Sequence, residues 1–382
     1  MAPLSLVRKY EPVLLFSKDD KGRDENFFPM AVEHYVAHCR LYRKEVGPVE
    51  VPDGLSLETL GQISPPESRE HYLAYAADSV LSRSPSLWER LRKGGLALYG
   101  IEGQVEPHLL VKETDAVSFA LQDPALRRVD EGPGTGPGAA GPGGMAFAPP
   151  GGGPPSVEAP AEADFLITDL QHLPPELHAE ALKRYQPYRD FSNYPPVYYY
   201  RVMYSRGYRV IQYWFFYAYN DWGTGHGGIN DHEGDWETVF VFLRGDRPAY
   251  VAYSAHIGPP GRAAWDDPAL EKRFRNHPVV YVGSGSHANY LQPGPHPIPI
   301  LSVKDHAYGN SAVAVGPGTG VPWGRPVNLE QQPWALNYAG AWGALVKKWG
   351  ASWLVPGAQA PVGPAWHFEP WETPVAWAGI PY

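Results

Sequence analysis

Cysteine is almost absent from this chain: among 382 residues only Cys39 carries a thiol. One cysteine excludes an internal disulfide framework and any zinc site assembled from several thiolates. Long hydrophobic runs are missing too. No stretch of about 18 apolar residues occurs, so no segment reads as a membrane-spanning helix. The opening residues, Met1 to Lys9, lack the unbroken apolar core of a secretory signal, which makes the cytoplasm the expected address. Export by a route without such a signal would leave no mark in the sequence. Charge is modest, at 19% of residues, and acidic residues outnumber basic ones 41 to 32 for a net −9. That balance argues against nucleic acid or an anionic membrane as the main partner, yet leaves room for a local basic patch and peripheral membrane contact. Oligomeric state is not legible.

Turn-forming and aromatic residues are abundant instead. The 42 Pro, 41 Gly and 13 Trp point to many turns and short elements, and 43% hydrophobic residues to a globular chain. Between residues 131 and 160, 18 of 30 positions are Gly or Pro. Such a segment buries too little apolar surface to offset its ordering entropy and reads as a flexible loop or linker. It divides an N-terminal α/β segment, 1–130, from residues 161–382, and the first is expected to pack on the same body as the second. In the first segment Tyr10–Phe16 reads as a strand. A helix follows Phe27-Phe-Pro29 with Val32, Val36 and Cys39 on one face, making the thiol a buried filler. The capping-box pattern Ser64-Pro-Pro-Glu67 predicts a second helix running through Leu73. Beyond the linker, Leu173-Pro-Pro-Glu176 opens a helix with Leu177, Ala181 and Tyr185 inward. Strands are then expected at Val197–Tyr204 and Tyr208–Tyr217 around Ser205-Arg-Gly207, and at Ala249–Tyr253, Pro278–Val282 and Ile298–Val303. The pattern predicts a mainly β fold, an antiparallel β-sandwich with peripheral α-helices.

The chemistry concentrates where Tyr213-Trp-Phe-Phe-Tyr217 closes through Asn220-Asp221 onto His232-Glu-Gly-Asp-Trp-Glu237. Asp235 and Glu237 are two residues apart, so an extended strand points both to one face. The following Val239–Leu243 is apolar on both faces, as in a strand covered on both sides. Two carboxylates entering such a strand lose hydration and repel each other unless compensated. A divalent cation held by Asp235 and Glu237, with His232 as third ligand and Asp221 as a further donor, would compensate them; a salt-bridged or solvent-facing strand end is the plainer alternative. One imidazole among oxygen donors suits magnesium, calcium or manganese better than zinc. A strand-end turn, Gly283–Tyr290, offers Ser286, His287 and Asn289 as polar lining of the same site, with His287 as acid or base if the chain is an enzyme. A Ser286 nucleophile is weak, because sequence neighbours rarely have triad geometry. Asp305-His306 is a weaker candidate of the same kind. Trp222 would stack on a sugar or headgroup, against the plain reading of a core aromatic. Gly223–Gly228 spells a dinucleotide-binding pattern, but a strand follows it where a helix N-terminus is required.

The blocks Tyr213–Tyr217 and Gly234-Asp-Trp-Glu237, with His277–Tyr281, Gly285–Tyr290 and Tyr338–Gly343, resemble the vacuolar-protein-sorting-associated family of fungi and plants. That family is in turn distantly similar to the necrosis- and ethylene-inducing-like proteins, marked by a Gly-His-Arg-His-Asp-Trp-Glu heptapeptide. The resemblance spans roughly residues 195–345. It implies a β-sandwich and a divalent ion held at His232, Asp235 and Glu237 with Asp221 upstream. Gly234 and Glu233 stand where the heptapeptide has its second His and its Arg, so chemistry that needs those side chains does not carry over. The toxins of that kind are secreted, and without a signal in this chain cytolysis is not implied.

The expectation is therefore a divalent-metal-dependent binding module for a lipid headgroup, glycan or similar small molecule, linked to membrane recognition or trafficking. Two alternatives stand beside it: a metal-assisted hydrolase of phosphoester or related bonds, and a scaffold with a structural ion. Whether the chain is an enzyme is left open.

Overall fold

The computed structural model describes residues 4–44, 46–75, 175–222, 231–254, 261–298, 303–343 and 361–382. The Gly/Pro-rich 131–160 segment, the helix start at Leu173 and the Gly223–Gly228 pattern lie outside these residues. The N-terminal part comprises α1 (Leu4–Tyr10), β1 (Val13–Leu15), α2 (Val32–Val36), β2 (Arg40–Arg43), β3 (Gly47–Pro48), α3 (Leu57–Gln62), α4 (Pro65–Ser68) and β4 (His71–Ala74). After α5 (Pro175–Tyr185) the chain is mostly strand: β5 (Tyr199–Ser205), β6 (Tyr208–Asn220), β7 (His232–Arg244), β8 (Arg247–Tyr253), β9 (Gly261–Ala264), β10 (Lys272–Arg273), β11 (His277–Val282) and β12 (Asn289–Tyr290). Then come β13 (Gly294–Ile298), β14 (Val303–Ala307), β15 (Ala314–Val315), β16 (Val327–Asn328) and the short helices α6 (Pro333–Asn337), α7 (Phe368–Glu372) and α8 (Pro374–Trp377).

Six strands form the largest sheet, in the order β16-β5-β6-β7-β8-β9, and its centre is the long β6–β7 pair. Both long strands read as nearly unbroken apolar runs because both faces of this sheet are buried. On one face Val210, Trp214 and Phe216 of β6 meet Phe240 and Phe242 of β7, with Tyr35, Ala181, Trp334 and Trp342 packed over them. On the other face Ile211, Tyr213, Phe215 and Tyr217 share a core with Val239 and Val241, and with Leu14, Val280, Val282 and Val315 of a second sheet. Each such side chain, fully buried, contributes roughly 1.5–3 kcal/mol. In the second sheet β1 lies between β11 and β15, pairing parallel with β11 (Val13 opposite Val279) and antiparallel with β15.

The architecture is mostly β, as expected, but its sheets are mixed, since β16 also pairs parallel with β5. Three element predictions need correction. Tyr10 ends α1 and does not open a strand; Pro12 follows, and the residue before a proline is pushed out of helical geometry. The helix at Ser64 stops at Ser68, and Ser64 makes no side-chain cap. Leu73 instead pairs with Leu41 of β2, so a tertiary strand pairing overrides the local helix signal. Ile298–Val303 is not one strand: Ile298 ends β13, Val303 begins β14, and the two pair as neighbours in an antiparallel ladder. Cys39 is buried, as expected, but it lies past α2, which ends at Val36, and so is not on the helix face its spacing suggested.

Candidate functional site

The β6–β7 register sets Asn220 opposite His232, Tyr217 opposite Asp235 and Phe215 opposite Glu237. Regular alternation would send Glu233, Asp235 and Glu237 to a single face. It is broken at Gly234, whose φ of +63° is a left-handed conformation that suits glycine. Glu233 turns to the Tyr75 backbone N–H, 3.1 Å away, on the Tyr35 and Tyr185 side of the sheet. Asp235 and Glu237 stay on the opposite side, around Tyr217. Burial raises the Tyr217 pKa well above its ordinary value, and the Glu237, Glu25 and Asp235 carboxylates raise it further. A Cβ on Gly234 would lie 2.0 Å from the Trp342 carbonyl oxygen. The position where the heptapeptide has its second histidine therefore has no room here for any side chain.

Each predicted donor has partners of its own. Asp235 Oδ2 accepts from Asn220 Nδ2 at 3.2 Å and from His287 Nδ1 at 3.0 Å. Glu237 Oε2 accepts a short hydrogen bond from the Ser254 hydroxyl. Asp221 Oδ2 accepts from Asn26 Nδ2 at 3.0 Å and from His178 Nε2 at 3.2 Å. His232 turns its Nδ1–H to the Gly234 carbonyl, 2.9 Å away, and burial lowers its pKa, which favours the neutral ring. Among the described residues no three His, Cys, Asp or Glu side chains converge as a metal shell. As placed, His232, Asp235, Glu237 and Asp221 do not fit a single divalent ion.

The positive charge that the carboxylates need comes from inside the chain. His287 is fully buried, stacked on Tyr217 with centroids 3.9 Å apart and planes 1° from parallel. Its Nδ1 faces Asp235 at 3.0 Å, and its Nε2 faces Glu25 Oε1 at 3.5 Å. Burial alone would lower its pKa, but the Glu25 and Asp235 carboxylates outweigh that and push it up to about 10. The ring is thus an imidazolium at neutral pH. Its φ of +57° is uncommon for a residue with a side chain and is held by the turn: the His287 N–H donates to the Gly283 carbonyl, and the Gly283 N–H to Ala288. Glu25 in turn accepts from the backbone N–H groups of Asn26 (2.8 Å), Phe27 (2.9 Å) and Gly285 (2.9 Å). Gly285, at φ +70°, lets the turn pass close to Asp221: a Cβ there would lie 2.7 Å from Asp221 Oδ1.

The remaining predicted residues divide into two places. Ser286 donates to Asp305 at 2.7–2.8 Å and not to a histidine, so no serine–histidine relay is assembled. Asn289 donates to the Thr238 carbonyl and to Ser254 Oγ, each at 3.2 Å. Asp221 and Trp222 instead line an open cavity of about 70 Å³, together with Asp19, Asp20, Asp24, Glu25 and His178. Two of its carboxylates have cationic neighbours: Asp19 pairs with Arg23 at 2.5 Å, and Asp24 lies 3.7 Å from Lys18. His287 is not among the lining residues; Glu25 joins the cavity to the buried network behind it. Glu25, Asn26 and His178 escaped sequence reasoning because they belong to no motif. The one hint was position, since Glu25-Asn26 directly precedes the buried Phe27-Phe28 pair.

The solved structures that match this chain include necrosis- and ethylene-inducing proteins. One is NLPPya in complex with mannosamine, at 16% identity and TM-score 0.23, covering 36% of this chain and 52% of that one. Another is Necrosis and Ethylene inducing Protein 2 from the causal agent of cocoa's witches' broom disease, with the same identity, score and coverage. A non-toxic HaNLP3 protein matches at 12% identity and TM-score 0.23, covering 36% of this chain and 54% of its own. The chain thus spans about half the length of these proteins. No family model and no curated protein matches it. The likeness to the vacuolar-protein-sorting-associated family rests on its sequence blocks alone. Overlap this slight transfers no residue's role, so the chemistry follows from the geometry. Among the described residues no helix is long and apolar enough to cross a membrane.

Proposed function

We propose that the chain is a binding module that takes a glycan or lipid headgroup in the cavity beside Asp221 and Trp222. One observation carries this reading: four aspartates, Asp19, Asp20, Asp24 and Asp221, line an open cavity that the buried Glu25 and Trp222 also border. Carboxylates accept hydrogen bonds from neighbouring hydroxyls and attract an amine. Clustered negative charge disfavours phosphorylated ligands. On this reading the six-stranded sheet and the β1–β11 sheet, which share one apolar core, are the two leaves of a sandwich with the cavity at one end.

The His287 imidazolium gives the module a rigid floor. It ties the segment carrying Glu25 to β7 and the Gly283–Asn289 turn, so the cavity is preorganised without a divalent ion. Metal-assisted hydrolysis with His287 as acid or base is the weaker proposal, because the ring is buried and both nitrogens face carboxylates. A scaffold with a structural ion is weaker still, since the carboxylates nearest the core have other partners.

Calorimetric titration with neutral, amine-bearing and phosphorylated sugars and soluble headgroups tests the reading. Neutral or amine-bearing ligands should bind, phosphorylated ones should bind at least tenfold more weakly, and Asp221→Asn should weaken binding about tenfold. Preference for the phosphorylated ligands, or no binding across the panel, would overturn it.

A further inference from the structure

The geometry points to a second interaction surface, at the far end of β11 from the cavity: the β10–β11 hairpin tip docks on an anionic lipid bilayer. The tip is the three-residue loop Phe274-Arg275-Asn276, closed by the pairing of Arg273 with His277. Phe274 and Arg275 both have left-handed backbones, at φ +50° and +67°. Hairpin loops normally give such positions to glycine or asparagine, and for a bulky aromatic residue this is an outlier. The strained backbone holds the Phe274 ring out, 67% exposed, with one edge against Gly318. Burial elsewhere in the fold would have been the relaxed choice for this ring.

Positive charge surrounds it. Arg275 lies in the loop, Lys272 and Arg273 form the strand that leads into it, and residues 272–277 include no carboxylate. Lys272 is anchored by the Trp265 carbonyl at 2.7 Å, and Arg273 Nη1 reaches the Gly318 carbonyl at 3.4 Å. Neighbouring Glu271 accepts from the Tyr281 hydroxyl at 2.5 Å. Because β1 runs parallel to β11, and His277 Nδ1 donates to the Glu11 carbonyl, α1 brings the exposed Lys9 to the same end. An exposed phenyl ring flanked in sequence by Arg273 and Arg275, on a chain of net charge −9, matches a surface with an apolar interior and anionic headgroups. The six residues of β11 put the acidic cavity roughly 20 Å away along the strand. This inference does not depend on the cavity's ligand.

Co-sedimentation of the full chain with vesicles of phosphatidylcholine alone, or with about 30% phosphatidylserine, tests it. Retention on the anionic vesicles only, lost on raising the salt severalfold, is expected. The double variant Phe274→Gly/Arg275→Gly should bind at least tenfold more weakly, while its melting temperature stays unchanged or rises, because glycine adopts left-handed φ freely. The glycine double variant should keep wild-type calorimetric binding in the cavity, which separates this surface from it. Equal retention on neutral and anionic vesicles, undiminished binding by the glycine variant, or retention on heparin or DNA without vesicle binding would each overturn it.

Discussion

Replacing His287 with leucine should lower folding stability by about 3–5 kcal/mol, the usual cost of removing one member of a buried ion pair. The substitution leaves the Glu25 and Asp235 carboxylates facing each other across the space of a lost cation that stacks on Tyr217. Denaturant unfolding monitored by tryptophan emission reads the loss. Adding Glu25→Gln and Asp235→Asn to His287→Leu should restore much of it, since amides need no counter-charge; a double-mutant cycle isolates the coupling. The same pair sets a pH dependence. The folded-state pKa, pushed up to about 10, lies above the ordinary histidine value near 6.5. The contribution of the pair is therefore complete below about pH 6.5, declines as pH rises, and is lost above about 10. His287→Leu should flatten that alkaline decline. If the variant is as stable as wild type, or declines equally with pH, the ring is not the counter-charge.

Gly234→His, the substitution that would restore the heptapeptide residue, should destabilise the chain by about 3 kcal/mol or more. A left-handed backbone costs a non-glycine residue about 1–2 kcal/mol. The larger part comes from the Cβ itself, 2.0 Å from the Trp342 carbonyl oxygen, which forces β7 and the Trp342 segment apart. Gly207→Ala provides the reference: its φ is +82°, and its Cβ would meet nothing within 4 Å. The difference between the unfolding free energies of Gly234→Ala and Gly207→Ala reports the Cβ clash. Equal values would mean that the β7–Trp342 contact yields without cost.

The sequence made the centre of the fold legible because β6 and β7 are apolar on both faces, a pattern that only a doubly covered strand requires. It also exposed the electrostatic problem, since Asp235 and Glu237 enter that strand at a spacing of two. The source of the compensating charge was less visible. His287 was recognised as part of the site, but its pairing depends on a left-handed residue in a turn about 50 residues further along the chain. Its other partner, Glu25, comes from a segment about 200 residues before β7, and spacing carries no information over such separations. Proximity in sequence groups Asp221 with the inner carboxylates, whereas the fold assigns it to the outer cavity with His178 and Asn26. The Ser64 helix shows the same limit: local capping chemistry predicted it, and pairing of Leu73 with Leu41 decided otherwise.

The most direct measurement is elemental analysis of the purified full-length chain, paired with thermal melts in EDTA and in added magnesium or calcium. The account predicts no stoichiometric metal and melting curves that superimpose under all three conditions. One retained ion per chain, with a melting temperature that falls by several degrees on chelation and recovers when the ion is returned, would contradict it.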